Sequence, residues 1–121
     1  MRIRARILLT AFGLDGRRGQ RLGTLSRGLR RQASAVAGLS LAPPLILVDE
    51  ATATLDPEAV VVLGEAIQRL STRGCGILLA TQDLHFAGGV CDEIVLLHRG
   101  SVIDRGEPGA LRARHAATSL E

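Results

Sequence analysis

The chain has 121 residues, 46% of them apolar, with 15 basic against 12 acidic side chains, the proportions of one small globular domain and not of a disordered segment. Every basic residue is arginine, which excludes each site whose chemistry needs a lysine amine, including the Gly-x4-Gly-Lys-Ser/Thr phosphate loop. Tryptophan and tyrosine are absent and Phe12 and Phe86 are the only aromatics, so a surface that stacks successive bases on rings is excluded as well.

Met1 to Leu14 carries arginines followed by Ile7, Leu8 and Leu9. The apolar stretch is short and no small-residue cleavage site follows it, so it reads as an amphipathic helix and not as a signal peptide. Charge is uneven: residues 1–31 hold nine arginines and one acid, Asp15, for a net +8, while residues 32–121 hold six arginines and eleven acids, for a net −5. Such asymmetry suits a phosphate, a nucleic acid, an anionic membrane or an acidic partner, and equally an ordinary solvated helix face. A polar, glycine-rich stretch from Asp15 to Thr24 leads to Ser26, which opens a second helix with apolar positions Leu29, Ala33, Val36 and Ala37.

After Pro43 and Pro44, Leu45-Ile46-Leu47-Val48 is a continuous apolar run ending in Asp49-Glu50, the pattern of a strand covered on both faces in a parallel sheet. The longest apolar stretch, Leu39–Val48, is broken by the two prolines and falls short of the roughly 18 residues of a membrane helix. Asp56-Pro57-Glu58 is a helix start, with a capping carboxylate, proline at the first helical position and an acid in the positive first turn. Val60, Leu63, Ile67 and Leu70 define the buried face of that helix, and Gly74 marks its stop. Gly76 to Thr81 is a second buried strand, so strand, helix and strand form a parallel βαβ crossover. Leu84–Val90 reads as a helix, Ile94–His98 and Val102–Asp104 as a hairpin about Arg99-Gly100-Ser101, and Pro108–Ala113 as a closing helix. Cys75 and Cys91 have no second pair or histidine cluster beside them, which indicates neither a disulfide framework nor a zinc site.

An apolar strand ending in adjacent carboxylates has the form of a metal and water site for phosphoryl chemistry, in which Asp49 holds Mg²⁺ and Glu50 polarises the attacking water. A plain strand exit has the same form. Ser26 caps a helix whose free N–H groups receive an anion, and Gly28 lets a phosphate approach the backbone. Leu25-Ser26-Arg27-Gly28, then Leu45 to Glu50, then Thr54-Leu55-Asp56, then Ala80-Thr81-Gln82 form one ordered series.

That series resembles the C-terminal half of the nucleotide-binding domain of ATP-binding cassette (ABC) transporters, from about Ile7 to Arg112. By the resemblance, Leu25 to Leu29 corresponds to the family signature Leu-Ser-Gly-Gly-Gln, with Leu25, Ser26, Arg27 and Gly28 facing ATP held by another subunit. Leu45 to Glu50 corresponds to Walker B, with Asp49 as metal residue and Glu50 as catalytic residue. Thr54, Leu55 and Asp56 correspond to the D-loop, and Gln82 stands at the switch histidine. Arg27 replaces the first signature glycine and Leu29 the glutamine. Gln82 hydrogen-bonds but does not titrate near neutral pH as imidazole does, so slow hydrolysis is expected even in an intact parent.

The resemblance implies an α/β, partial P-loop NTPase fold with a parallel βαβ core and a C-terminal hairpin. It implies one domain over 1–121, with residues 1–24 in the helical subdomain, 25–44 in the signature helix, 45–113 from Walker B to the terminal hairpin and helix, and 114–121 as a tail. The family's phosphate loop would lie N-terminal to Met1, so the chain is expected to be a fragment. ATP and Mg²⁺ are the implied cofactors of the complete domain or dimer. The implied partners are a second ABC ATPase subunit and a transmembrane permease subunit, at the cytoplasmic face of the cell membrane. A degenerate cassette that supplies the signature in trans without hydrolysis is one alternative. A DNA-associated ABC-type ATPase is another, which the absence of coiled-coil or zinc insertions argues against, so nucleic acid is not the expected partner.

Overall fold

Ala5, Leu8 and Leu9 fall at i, i+3 and i+4, the spacing of one helical face, within Arg2–Ala11, which forms helix α1. Its half-buried side, Arg4, Ala5, Leu8 and Leu9, packs against helix α2, Arg27–Leu41, and Phe12 and Leu14 are buried just beyond it. The computed structural model describes residues 2–118, which fall into two compact units, one ending at Gln82 and the other beginning at Asp83.

In the first unit the glycine-rich stretch holds two short 3-10 turns, Asp15–Arg17 and Leu22–Thr24. Ser26 caps α2, its Oγ accepting from the Leu29 N–H at 3.3 Å. The buried face of α2 differs from the expected one: Gln32, Val36, Leu39 and Ser40 are buried, Leu29 and Ala33 are half-buried and Ala37 is exposed. The reason is that α2 packs against both α1 and helix α3, Pro57–Ser71, and Ser40 and the Gln32 amide nitrogen find partners there. Ser40 Oγ donates to the Ala37 carbonyl at 2.9 Å, and the Ser40 carbonyl accepts from Arg4 Nη1 at 3.2 Å.

Strand β1, Leu45–Asp49, and strand β2, Gly76–Ala80, pair in parallel, with Leu45 opposite Gly76 and Asp49 opposite Ala80. Asp56 caps the intervening α3, whose buried residues include Leu63, Ile67 and Leu70, with Val60 half-buried. Gly74 follows in the left-handed region at φ +87°. The strands are not covered on both faces as their apolar runs suggest. Ile46, Val48, Ile77 and Leu79 are half-buried and α3 packs on β2, whereas Leu45, Leu47 and Leu78 are 59%, 71% and 66% exposed. The described residues supply a covering layer on one side of this sheet only.

In the second unit, helix α4 is Leu84–Val90, and strands β3, Ile94–His98, and β4, Ser101–Gly106, pair antiparallel. Arg99 and Gly100 lie at φ +48° and +79°, the two-residue turn whose twist matches the flanking strands. The register shifts between Leu96 and Leu97. Helix α5, Pro108–Thr118, continues past the expected stop at Ala113, so residues 114–118 of the expected tail are helical and 119–121 lie outside the described residues. Phe86, Ala87 and Leu111 are buried in this unit. The parallel βαβ core and the C-terminal hairpin are both present.

Candidate functional site

The first candidate groups meet at the carboxyl ends of β1 and β2, where ligands bind in open α/β sheets. Asp49, the last residue of β1, is exposed opposite Ala80. At Glu50 the backbone turns into the left-handed region, φ +44°, which costs a residue with a Cβ about 1 kcal/mol. The turn is held because the Glu50 N–H donates to the Ala80 carbonyl at 2.9 Å and the Glu50 carbonyl accepts from Ala53 N–H at 3.3 Å. Glu50 is half-buried and Gln82, two residues beyond β2, is exposed. None of the ion pairs among the described residues uses Asp49 or Glu50.

The second group is the first turn of α2 with the loop that leaves β1. Leu25 is buried, Ser26 and Arg27 are exposed, and Gly28 is half-buried. A Cβ at residue 28 would lie 3.2 Å from the Thr54 carbonyl oxygen, so the two backbones meet where only glycine fits with ease. The loop is tightened by the Leu55 N–H donating to the Thr52 carbonyl at 3.1 Å. Asp56 accepts from the Ala59 N–H through Oδ1 at 2.8 Å and from Gln32 Nε2 through Oδ2 at 3.2 Å. Arg31 Nη1 reaches the Glu50 carbonyl at 3.5 Å. Ser26–Gly28, Glu50 and Thr54–Asp56 therefore lie around one end of the first unit. Arg31, which ties α2 to the Glu50 carbonyl, and Gln32, which ties α2 to Asp56, were not singled out from the sequence. The signal was Gln32, a polar residue four positions before Val36 on the apolar arc of α2.

Among the described residues no three His, Cys, Asp or Glu side chains come together as a metal cage. Asp49 instead offers one exposed carboxylate at a strand end, a donor set that fits a hydrated Mg²⁺ shared with phosphate oxygens. Asp83 caps α4, its Oδ1 accepting from the Phe86 N–H at 2.8 Å. His85 and His98 are exposed, and His115, in place of lying in a tail, sits on α5 with Nε2 2.9 Å from Asp104 Oδ2. That carboxyl group is held down to about 2 by hydrogen bonds, first from Arg114. Glu93 is lowered by its hydrogen bond from Arg105, and burial, with the Asp92 charge, raises the Cys91 thiol.

No protein-family model matches the chain. Phosphate import ATP-binding protein PstB 2 of Natronomonas pharaonis is 34% identical over 113 residues, covering 88% of this chain and 40% of that protein. Daunorubicin/doxorubicin resistance ATP-binding protein DrrA of Streptomyces peucetius is 35% identical over 112 residues, 93% of this chain and 34% of that protein. The solved ATP-binding subunit of an ABC transporter superposes with a TM-score of 0.84 at 33% identity, over 95% of this chain and 48% of that one. CbiO1 of Clostridium perfringens, part of the ABC transporter complex cbiONQ, superposes at 0.70 with 26% identity, over 96% and 47%. The fold is thus that of the P-loop nucleotide-binding cassettes. Within that class the chain is part of an ABC ATPase domain, and it spans about 40% of the length of its curated relatives.

Proposed function

We propose that this chain is the signature and Walker B portion of a cassette that binds MgATP as the ATP-binding subunit of an ABC transporter. The observation that carries the reading is the close approach of Gly28 to Thr54 beside the strand ends that bear Asp49 and Glu50, which groups the motif residues although they are far apart in sequence. On this reading Leu25, Ser26, Arg27 and Gly28 present the N-terminus of α2 to the phosphates of ATP held by another subunit, where exposed N–H groups and the helix dipole favour an anion. Thr54, Leu55 and Asp56 line the subunit contact as the D-loop.

In the complete domain Glu50 accepts a proton from the water that attacks the γ-phosphate, and Gln82 hydrogen-bonds that water or phosphate without titrating. Asp49 would hold Mg²⁺, which neutralises phosphate charge when bound. The chain has no lysine and hence no phosphate-loop lysine of its own, so turnover requires that element from elsewhere. The partners are a second ABC ATPase subunit and a transmembrane permease, with the chain peripheral at the cytoplasmic face. The names of the relatives support this assignment.

The test is to mix the chain with a cassette subunit that contains a phosphate loop and to follow association and phosphate release. The chain alone is expected to release no phosphate above background. Mixing is expected to give MgATP-dependent association that Gly28→Arg abolishes. Association without added turnover would favour the non-catalytic cassette, and no association with any nucleotide would overturn both readings.

A further inference from the structure

Part of the positive charge of residues 1–31 lies on one exposed helix face. At 3.6 residues per turn, positions 2, 6, 10, 3 and 7 of α1 fall within about 140° of arc, and all five, Arg2, Arg6, Thr10, Ile3 and Ile7, are exposed. Ile3 is 78% and Ile7 58% exposed, while the opposite side of the helix packs against α2. Two isoleucines one turn apart thus share an outward arc with two arginines. Asp15, the one acid of residues 1–31, is already engaged, accepting from Thr10 Oγ1 at 3.0 Å and paired with Arg18.

We propose that this face of α1 lies directly on a bilayer that carries anionic lipid headgroups. A short basic amphipathic helix binds in the interface plane by burying its apolar side chains at the acyl boundary while its arginines reach back to the headgroup phosphates. Ile3 and Ile7 supply the apolar side chains and Arg2 and Arg6 the cations. Arg21, exposed at the end of the following loop, adds positive charge on the same segment.

A protein segment fits less well. The groove along the arc, about 620 Å³, is lined by Arg6, Ile7, Thr10, Ala11, Asp15 and Arg18. A protein segment seated there leaves Arg2 and Ile3, which lie outside its lining, uncovered, whereas a bilayer laid on the arc meets both arginines and both isoleucines. Nucleic acid offers phosphates but nothing for the two isoleucines. Membrane binding through α1 does not depend on the ATP-binding reading.

The full chain is tested on phosphatidylcholine vesicles with and without phosphatidylglycerol. Because the chain has no tryptophan, Ile3→Trp places a single reporter on the arc. Co-sedimentation is expected with the anionic vesicles, weak on phosphatidylcholine alone and falling with salt, together with a blue shift of the reporter's emission. Arg2→Gln with Arg6→Gln is expected to lower partitioning about fivefold for each arginine, and Ile3→Ser with Ile7→Ser to lower it without changing net charge. Arg99→Gln with Arg112→Gln removes the same charge from the other unit and is expected to leave most binding intact. The proposal is overturned if folded chain does not partition, if it partitions with no shift of the reporter, if the charge-matched control loses as much as the α1 variant, or if a DNA duplex is bound and the vesicles are not.

Discussion

Gly28 and Thr54 approach so closely that a methyl group on residue 28 would stand 3.2 Å from the Thr54 carbonyl oxygen. Replacing glycine by alanine inside a helix ordinarily stabilises by about 0.5–1 kcal/mol, and Gly38, also in α2, has no atom within 4 Å of such a methyl. Gly38→Ala is therefore expected to raise the unfolding free energy by that increment, seen as a higher urea midpoint. Gly28→Ala is expected to show no gain or a net loss, because the Thr54 backbone must give way. Equal gains in both variants would mean that the loop yields at no cost.

Asp56 is held from two elements, its own helix through Ala59 and α2 through Gln32. Asp56→Ala removes the cap, worth about 1–2 kcal/mol, and strands a buried amide donor, so a loss of about 2 kcal/mol or more is expected by urea unfolding. Gln32, only 6% exposed, leaves its Oε1 without a partner. Gln32→Leu deletes that unmet acceptor along with the bond to Asp56, and its stability is expected within about 1 kcal/mol of wild type. A loss as large as that of Asp56→Ala would show that the bond from Gln32 is the dominant tie.

Glu50 is one of three described non-glycine residues with positive φ. Glu50→Gly relieves the left-handed penalty and is expected to stabilise the fold by about 0.5–1 kcal/mol. Glu50→Gln keeps the Cβ and is expected to leave stability unchanged. Thermal unfolding of the two variants checks this, since a carboxylate that stabilised the fold through its charge would give the opposite ranking. A strained residue whose removal stabilises the fold is what a site kept for function displays.

The elements were legible in the sequence wherever periodicity and caps agreed. Asp56-Pro57 sets the start of α3 and Arg99-Gly100 the turn of the hairpin. Motif order groups Ser26, Gly28, Asp49, Glu50, Thr54 and Gln82, and the fold brings Gly28 against Thr54 and Asp49 opposite Ala80. The faces of the elements were less legible. An apolar run such as Leu45–Val48 records the tendency to be covered on both sides, yet covering depends on which layers are present, and Leu47 remains exposed. Likewise the buried arc of α2 turned toward Gln32 and Ser40, because hydrogen bonds from neighbouring elements, invisible to a hydropathy pattern, made those polar positions tolerable inside.

Asp104 supplies the pH dependence. Its carboxyl group is held at about 2, below the ordinary 3.8, first by the hydrogen bond from Arg114, then by the Arg105 N–H, with a smaller contribution from His115. A group whose pKa is lower in the folded state stabilises that state above its unfolded value and loses the contribution as pH falls through the folded value. The tie between β4 and α5 is therefore expected to be intact at neutral pH and to weaken between about pH 4 and pH 2. Carboxyl-carbon NMR should show Asp104 titrating near 2, and Arg114→Gln should move that midpoint up toward 3.8. In urea unfolding, the difference between wild type and Arg114→Gln should be present at pH 7 and shrink across the same acid window. A difference that persists undiminished at pH 2 would assign the role of Arg114 to the packing of its stem and not to its bonds with Asp104.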